Sequence, residues 1–513
     1  MKKIAASVLL LLLFTACNKS MQDKSAINSA DQQDQLLSAK DINHFIESEV
    51  QQKGVFDWKD ASPQMVWSAL QLRDKIMCIG YKPASFTGIE SKLSSINLNE
   101  LHWKAAKEAV LDIIYREEVK YNPSLTKENL EVWKENKLPV IDVKIESLRT
   151  IELLRQCPLV RYAEPMAYDP LAEEEKAATQ KEYSLVGSDG SGCGDYAGDA
   201  DLVAKRDYTG IAPGAKMSWN FKYHNINKAW TKSTGAGVKV MVIDTGVSPD
   251  QDNLGSHFNQ GKSNSRTIEK MTTLPGETSP DDLCGHGTTM SGAVAAPRGT
   301  DSNSVGVAYN CNFVICRAAH DVYLDESAEI KGVSDAYTWA ADNADVKIIS
   351  LSLGRITGNG QIKDAIQYAY NKGKLMFCAG GTSFNWTAGF VGVIFPATLT
   401  TVQAITGVKN ASTLKACSDC HKGKAIDFVI VMQQSATGID QLSTATSGNV
   451  PTTVGGSSVA TATAAGIAAL VWSKFPGYSR ENVVNKLQTT ASLYPNKNKN
   501  FGWGKLDADA ATN

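Results

Sequence analysis

Hydrophobic positions in this chain fall into blocks of different period. The first block, Ile4 to Phe14, is an apolar run behind basic Lys2-Lys3, and it closes on Thr15-Ala16-Cys17. That order marks an export signal, and the run is too short for a comfortable membrane span. Residues 18 to about 40 are rich in Ser, Asp, Gln and Lys without apolar periodicity, the composition of a flexible tether. From 41 to 168 the period switches. Lys75 to Tyr81 reads as a strand, and residues 101 to 118 carry Ala106, Val110, Ile113 and Ile114 at helical spacing. Val140 to Ile145 alternates as a strand. Ser147 can cap a helix with Leu148, Ile151 and Leu154 on one side, ending before Pro158. Leu159 to Ala163 is a further strand. Strand, helix, strand, strand, helix, strand is the order of a small α+β, ferredoxin-like domain.

A boundary follows. Glu173-Glu174-Glu175-Lys176 leads into Gly187-Ser188-Asp189-Gly190-Ser191-Gly192, which is poor in core residues. After about residue 215, strand-like runs (Val238 to Ile243, Val346 to Leu351, Leu375 to Cys378) alternate with helix-like runs (Val333 to Asn343, Gly360 to Lys372). Such alternation predicts an α/β fold with a doubly wound, mostly parallel sheet. No stretch after the first block reads as both apolar and long enough to span a bilayer. There is no internal repeat.

Composition changes this picture little. The chain has 513 residues, 43% hydrophobic and 21% charged, enough for two or three globular domains. A net charge of -2 carries no basic excess, which argues against nucleic acid as a partner. Of ten cysteines, Cys17 belongs to the signal, which leaves nine in an exported chain. Disulfides are allowed there and one thiol is left over. Cys311 with Cys316, and Cys417 with Cys420, are near enough in sequence to be candidate pairs.

Three short elements carry chemistry, in the order Asp, His, Ser. Val238 to Ile243 is an apolar strand that ends on Asp244, and strand C-terminal ends line the crevice of a parallel sheet. Gly285-His286-Gly287-Thr288 sets a histidine between glycines ahead of a small, apolar stretch. Ser458, in Gly455-Gly456-Ser457-Ser458-Val459-Ala460, precedes an Ala-rich run to Trp472 that reads as a buried helix centred on Gly466. A serine at a helix start faces converging N–H groups, which suit an oxyanion. Singly these residues read as a turn carboxylate, a core histidine and an N-cap serine. Together they supply a nucleophile, a base and a carboxylate that fixes the base's tautomer.

From Asn225 to Ala511 the chain resembles the subtilisin-like serine proteases, the subtilases. Ile226 to Trp230 and Thr234-Gly235-Ala236-Gly237 resemble the entry to the first catalytic strand. Val240 to Gly246 matches the Asp signature, Gly285 to Thr288 with Ser291-Gly292 the His signature, and Gly456 to Ala460 the Ser signature. Phe501 to Asp507 resembles the closing turn and strand. The resemblance implies a triad of Asp244, His286 and Ser458. It implies a substrate-pairing edge at Ser352-Leu353-Gly354 and an opposite pocket wall at Ala379-Gly380. Arg355 stands where the family usually has a second glycine, which narrows or charges one wall. The 41–168 segment resembles a subtilase propeptide, which would assist folding and block the cleft until cut off. Thr15-Ala16-Cys17 resembles a bacterial lipobox, with Phe14 in the usual leucine place, so Cys17 would carry lipid.

Two departures stand out. The family's oxyanion asparagine is replaced here by Gly381, within Ala379-Gly380-Gly381-Thr382, and the residues after the nucleophile include Ala462-Thr463 in place of Pro-His. The oxyanion donors expected are the Ser458 N–H with Thr382, the turn at Gly381, and Asn385 second to Thr382. Cys417-Ser418-Asp419-Cys420-His421 fits the haem-attachment pattern, but it falls where subtilases have a surface loop, so a loop disulfide or thiol pair is favoured over haem. Asp301 and Asn303 lie in a loop where many subtilases bind calcium; solvated loop polars are the default reading and no metal ligand is assigned.

The expected organisation is a signal at 1–16, a tether at 17–40, a propeptide at 41–168, a linker at 169–224 and a catalytic domain at 225–513. The expected function is an exported, lipid-anchored, self-processed serine endopeptidase acting on peptides and inhibited by its own propeptide. The alternative is a catalytically weakened surface lipoprotein that binds peptides or partners.

Overall fold

The structure, a computed structural model, describes residues 35–170, 192–194, 196–382 and 392–513. Cys17, the charged and glycine-rich boundary up to Ser191, and Asn385 lie outside the described residues. The chain divides into two compact units. One holds the chain up to Phe45, Asp57–Tyr168 and Asn359–Gln361; the other holds Ile46–Phe56, Asp169–Gly358 and Ile362–Asn513.

Two helices precede the elements foreseen in the first unit. Helix α1 (Ala39–Lys53), which the division between the units splits after Phe45, begins inside the expected tether, and its Ile42, Ile46 and Val50 recur every fourth residue and are buried. Helix α2 (Pro63–Gln71) starts at Ser62, whose hydroxyl accepts the Met65 N–H, with Pro63 in the first turn. Then come β1 (Ile76–Tyr81), α3 (Leu101–Glu118), β2 (Glu131–Trp133), β3 (Val140–Lys144), α4 (Leu148–Gln156) and β4 (Val160–Pro165). They form an antiparallel sheet in the order β2-β3-β1-β4. Strand β2 has three half-buried residues, too short for a period to declare it. Helix α4 starts as expected, with the Ser147 hydroxyl accepting the Arg149 N–H and with Ile151 and Leu154 buried.

The second unit opens with a hairpin of β5 (Tyr208–Ile211) and β6 (Ala215–Ser218). Its main sheet comprises β7 (Lys239–Asp244), β8 (Ile268–Thr272), β9 (Asn312–Arg317), β10 (Val346–Leu351), β11 (Leu375–Ala379), β12 (Gln403–Lys409) and β13 (Phe428–Gln433). All seven are parallel, in the order β13-β12-β11-β10-β7-β9-β8. This is the α/β, subtilisin-like sheet that the alternation predicted. Helices α5 (His286–Ala295), α6 (Ser327–Asp342), α7 (Gly360–Asn371) and α8 (Gly456–Lys474) accompany it. Helix α6 starts at Ser327 rather than Val333, because Glu326 and Glu329 form a capping box.

Helix α8 is the axis of the core. Contrary to the sequence reading, it is long and apolar enough to cross a membrane, yet 89% of that window is buried inside the protein. Its apolar residues face protein on every side, which is why it lacks amphipathic periodicity. A side chain at Gly466 would bring its Cβ within 2.6 Å of Val307, so only glycine lets the helix approach there.

Cys417 and Cys420 form a disulfide, and so do Cys193 and Cys284, which sequence proximity did not suggest. Cys311 and Cys316 are instead free and buried. Cys316 lies in extended β9, where a rise of about 3.3 Å per residue holds two positions five apart well beyond bonding reach.

Candidate active site

Strand β7 is central in its sheet, and its last residue, Asp244, is fully buried. The Asp244 Oδ1 lies 2.7 Å from His286 Nδ1 and also accepts the Thr245 N–H at 2.9 Å. His286 is the first residue of α5, entered through Gly285 at φ 85°. Burial alone would push the imidazole's pKa down. The Asp244 charge and hydrogen bond, with a smaller contribution from Asp282, outweigh it and hold the pKa above the usual histidine value.

Asp282, which no motif flagged, fixes this geometry. Its Oδ1 accepts the Gly285 N–H at 2.7 Å and the Thr245 hydroxyl at 2.8 Å, while Oδ2 accepts both the N–H and the hydroxyl of Thr288. One carboxylate thus joins the end of β7 to the open N–H groups at the start of α5. A second unflagged device is the disulfide from Cys193 to Cys284, two residues before His286. Beside it Tyr196 lines the cleft, its hydroxyl donating to the Gly192 carbonyl at 2.8 Å.

Ser458 sits in the first turn of α8 and faces the same cleft as His286. Among the described residues its Oγ bonds the Ser352 carbonyl, at 3.5 Å, rather than the imidazole. Nucleophile–base contacts of this kind often tighten only when substrate is bound.

Gly381 and Thr382 form the neighbouring wall. Gly381 donates its N–H to Ser457 Oγ at 3.1 Å, and Thr382 Oγ1 accepts the Ser457 N–H at 3.0 Å. The two hydroxyls are 3.0 Å apart. If Ser457 donates between them, every bond in this ring is satisfied and the Thr382 proton remains available to the cleft. Gly381 has φ 114°, and a Cβ there would lie 2.4 Å from His421 Nδ1. The position therefore excludes any side chain, including the family's asparagine. The Cys417–Cys420 loop backs this wall: His421 donates its N–H to the Gly381 carbonyl at 3.0 Å, and Cys420 pairs with Thr382. Burial pushes the His421 pKa down to about 4, against a partial rise from its bond to the Gly392 backbone. Both thiols of the haem-like motif are committed to the disulfide.

The expected substrate edge, Ser352, Leu353 and Gly354, lines the cleft together with Ala379 and Ile394. Gly380, expected to line the pocket with Ala379, is not among the cleft-lining residues; its N–H donates to the Ile405 carbonyl and its carbonyl accepts the Ile394 N–H. At Gly354 the edge is already in use: its N–H donates to the Val322 carbonyl at 3.2 Å and its carbonyl accepts the Leu324 N–H at 3.1 Å. Arg355 is not a solvent-facing charge but is buried, 1% exposed.

Residues 235–504 match the subtilase family, Peptidase_S8. The chain belongs to the subtilase family. It is 33% identical over 279 residues to alkaline elastase YaB of Bacillus sp. (strain YaB), a match covering 54% of this chain and 65% of that protein. It is 31% identical over 281 residues to subtilisin BL of Lederbergia lenta, covering 54% of this chain and 92% of that one. Among solved structures, sphericase is 25% identical with a TM-score of 0.46, covering 56% of this chain and 97% of sphericase. The chain spans about 65% of the length of the first curated relatives it matches.

Subtilases commonly bind calcium; in the loop expected to hold solvated polar residues, Asn303 is instead buried and both Asp301 and Asn303 are hydrogen-bonded within the protein. Asp301 accepts from Gln260 and from the Asn303 N–H, while Asn303 donates to Gly448. Among the described residues Asp321, Asp325 and Glu329 bring carboxylates within 4.8 Å of one another. Glu329 is buried there, its oxygens accepting the N–H groups of His320, Asp325 and Glu326, and burial with the nearby acids holds its pKa well above the usual range.

Proposed function

We propose that this subtilase is an exported serine endopeptidase that cuts peptide bonds through an acyl-enzyme. The carrying observation is the buried Asp244–His286 pair, 2.7 Å apart, on the cleft that Ser458 faces from a helix start. Ser458 Oγ attacks the scissile carbonyl carbon and passes its proton to His286 Nε2. The amine then leaves with that proton, and water releases the acyl group by the same route reversed. Asp244 holds the Nδ1–H tautomer and offsets the imidazolium charge. Because the His286 pKa is raised, the neutral base accumulates, and turnover climbs, as pH rises past it. A fluorophosphonate probe should attach covalently to Ser458. No labelling of folded, processed protein would favour instead a weakened lipoprotein that binds peptides or partners, a reading that Gly381 and the engaged Gly354 edge support.

The 41–168 segment acts, in this reading, as a propeptide that the enzyme removes itself. The Cys193–Cys284 bond sets a condition: only a cut before Cys193 frees the segment, since a later cut leaves it tethered beside His286. A peptide that adds at Gly354 displaces Val322–Leu324. Cys17 carries lipid and anchors the exported protein to a bacterial membrane. The mass of the mature N-terminus checks this: a diacylated Cys17 is expected, and an unmodified start elsewhere would sink the claim.

A further inference from the structure

Arg355 follows directly on Ser352-Leu353-Gly354, and it is one of the largest fully buried side chains of the described residues. An arginine is costly to bury unless an anion meets it. Here the anion is Asp169, itself 2% exposed, whose Oδ2 lies 3.6 Å from Arg355 Nε. That oxygen also accepts the Ile356 N–H at 2.9 Å, the Thr357 N–H at 2.9 Å and the Thr357 hydroxyl at 3.0 Å. Arg355 Nε in turn donates to Thr357 Oγ1 at 2.9 Å, which orients that hydroxyl's proton toward the carboxylate. Two consecutive backbone donors, a hydroxyl and a guanidinium therefore converge on a single carboxylate oxygen. These are the components of an anion site, and they are rigidly held: Arg355 exchanges both backbone bonds with Phe395, each at 3.0 Å.

Asp169 precedes the charged and Gly-rich connector, so a propeptide cut within that connector, before Cys193, also removes Asp169. The Ile356 and Thr357 N–H groups and the Thr357 hydroxyl then lose this carboxylate acceptor. From this we propose that the Arg355–Thr357 turn is a carboxylate-binding subsite, occupied by Asp169 in the precursor and by an acidic substrate side chain in the processed enzyme. The proposal rests on the endopeptidase reading above. Ser352, whose carbonyl lies at Ser458, marks the level of the scissile bond. A substrate strand antiparallel to this edge, in place of Val322–Leu324, brings a residue about four or five positions upstream of that bond to Ile356–Thr357. The site thereby selects peptides with Asp or Glu upstream of the cut. In the precursor the same contact keeps the cleft's upstream end filled.

The test uses enzyme processed from the full chain and shown to react with a fluorophosphonate probe. Fluorogenic peptides carry Asp or Asn in turn at the third to sixth residue before the cleaved bond. At one of those positions Asp should exceed Asn in kcat/KM by about tenfold, in keeping with charge-assisted bonds. That ratio should fall toward one in Thr357→Val, which keeps the arginine, and in Arg355→Met. It should also fall as pH drops through the peptide carboxyl's own titration. A labelled enzyme that treats Asp and Asn alike at every position overturns the subsite while leaving the endopeptidase intact. An unlabelled protein overturns both.

Discussion

Ser458→Ala should accumulate as the uncut full-length chain, unreactive toward a fluorophosphonate, while the wild type in the same purified preparation is processed. The cut needs an oxygen that can form the acyl bond, and a methyl group cannot supply one. In a subtilisin, loss of the nucleophile costs about a millionfold in turnover, leaving only what binding and the oxyanion donors provide. The substitution should leave the fold intact. Among the described residues the Ser458 side chain makes one long bond, at 3.5 Å, and α8 is held instead by its buried apolar residues and by the ring through Ser457 and Thr382. Unchanged melting with blocked processing is therefore the expected pair of results. Normal processing of the purified mutant would show that another protease makes the cut.

Thr382→Val should lower kcat about ten- to a hundredfold, or ~1.4–2.7 kcal/mol, with little change in KM. Negative charge on the former carbonyl oxygen needs donors fixed in advance. The Ser458 N–H supplies one, but Gly381 has no side chain for the second. Among the described residues of this wall, the Thr382 hydroxyl can still offer a proton while accepting the Ser457 N–H. A merely structural threonine would predict loss of stability without a selective fall in kcat. Thr382→Ser separates the cases, because it keeps the proton and should keep most of the turnover. Restoring the family's asparagine by Gly381→Asn should not help: a Cβ there meets His421 at 2.4 Å on a left-handed backbone. Unchanged turnover in both Thr382→Val and Asn385→Ala would leave backbone or water as the second donor.

Gly381 shows where linear reading stops. As a sequence feature it is a lost donor. In the folded chain it is the seat of His421, which arrives 40 positions later on the disulfide loop. Arg355 behaves the same way. Beside Gly354 in sequence it reads as a charge on a pocket wall; in the fold it is buried, with Asp169, from far upstream, 3.6 Å from its Nε.

What the sequence by itself determined were the features set by local periodicity and short motifs. Alternating apolar runs with intervening helical patterns specified a parallel sheet, because strands covered on both faces must be apolar throughout. Asp244 at a strand end, His286 between glycines and Ser458 at a helix start each declared its own backbone setting. The tertiary structure alone decided the features that join distant segments. Asp282 joins β7 to α5, Cys193 reaches Cys284, and Val322–Leu324 pairs with Gly354. A carboxylate or a thiol carries no mark of its partner in its neighbours, since hydrogen bonds and disulfides depend on separation in space. Helix α8 belongs to the same class: its composition fits lipid as well as a core, and only the surrounding β-strands and helices make it the core.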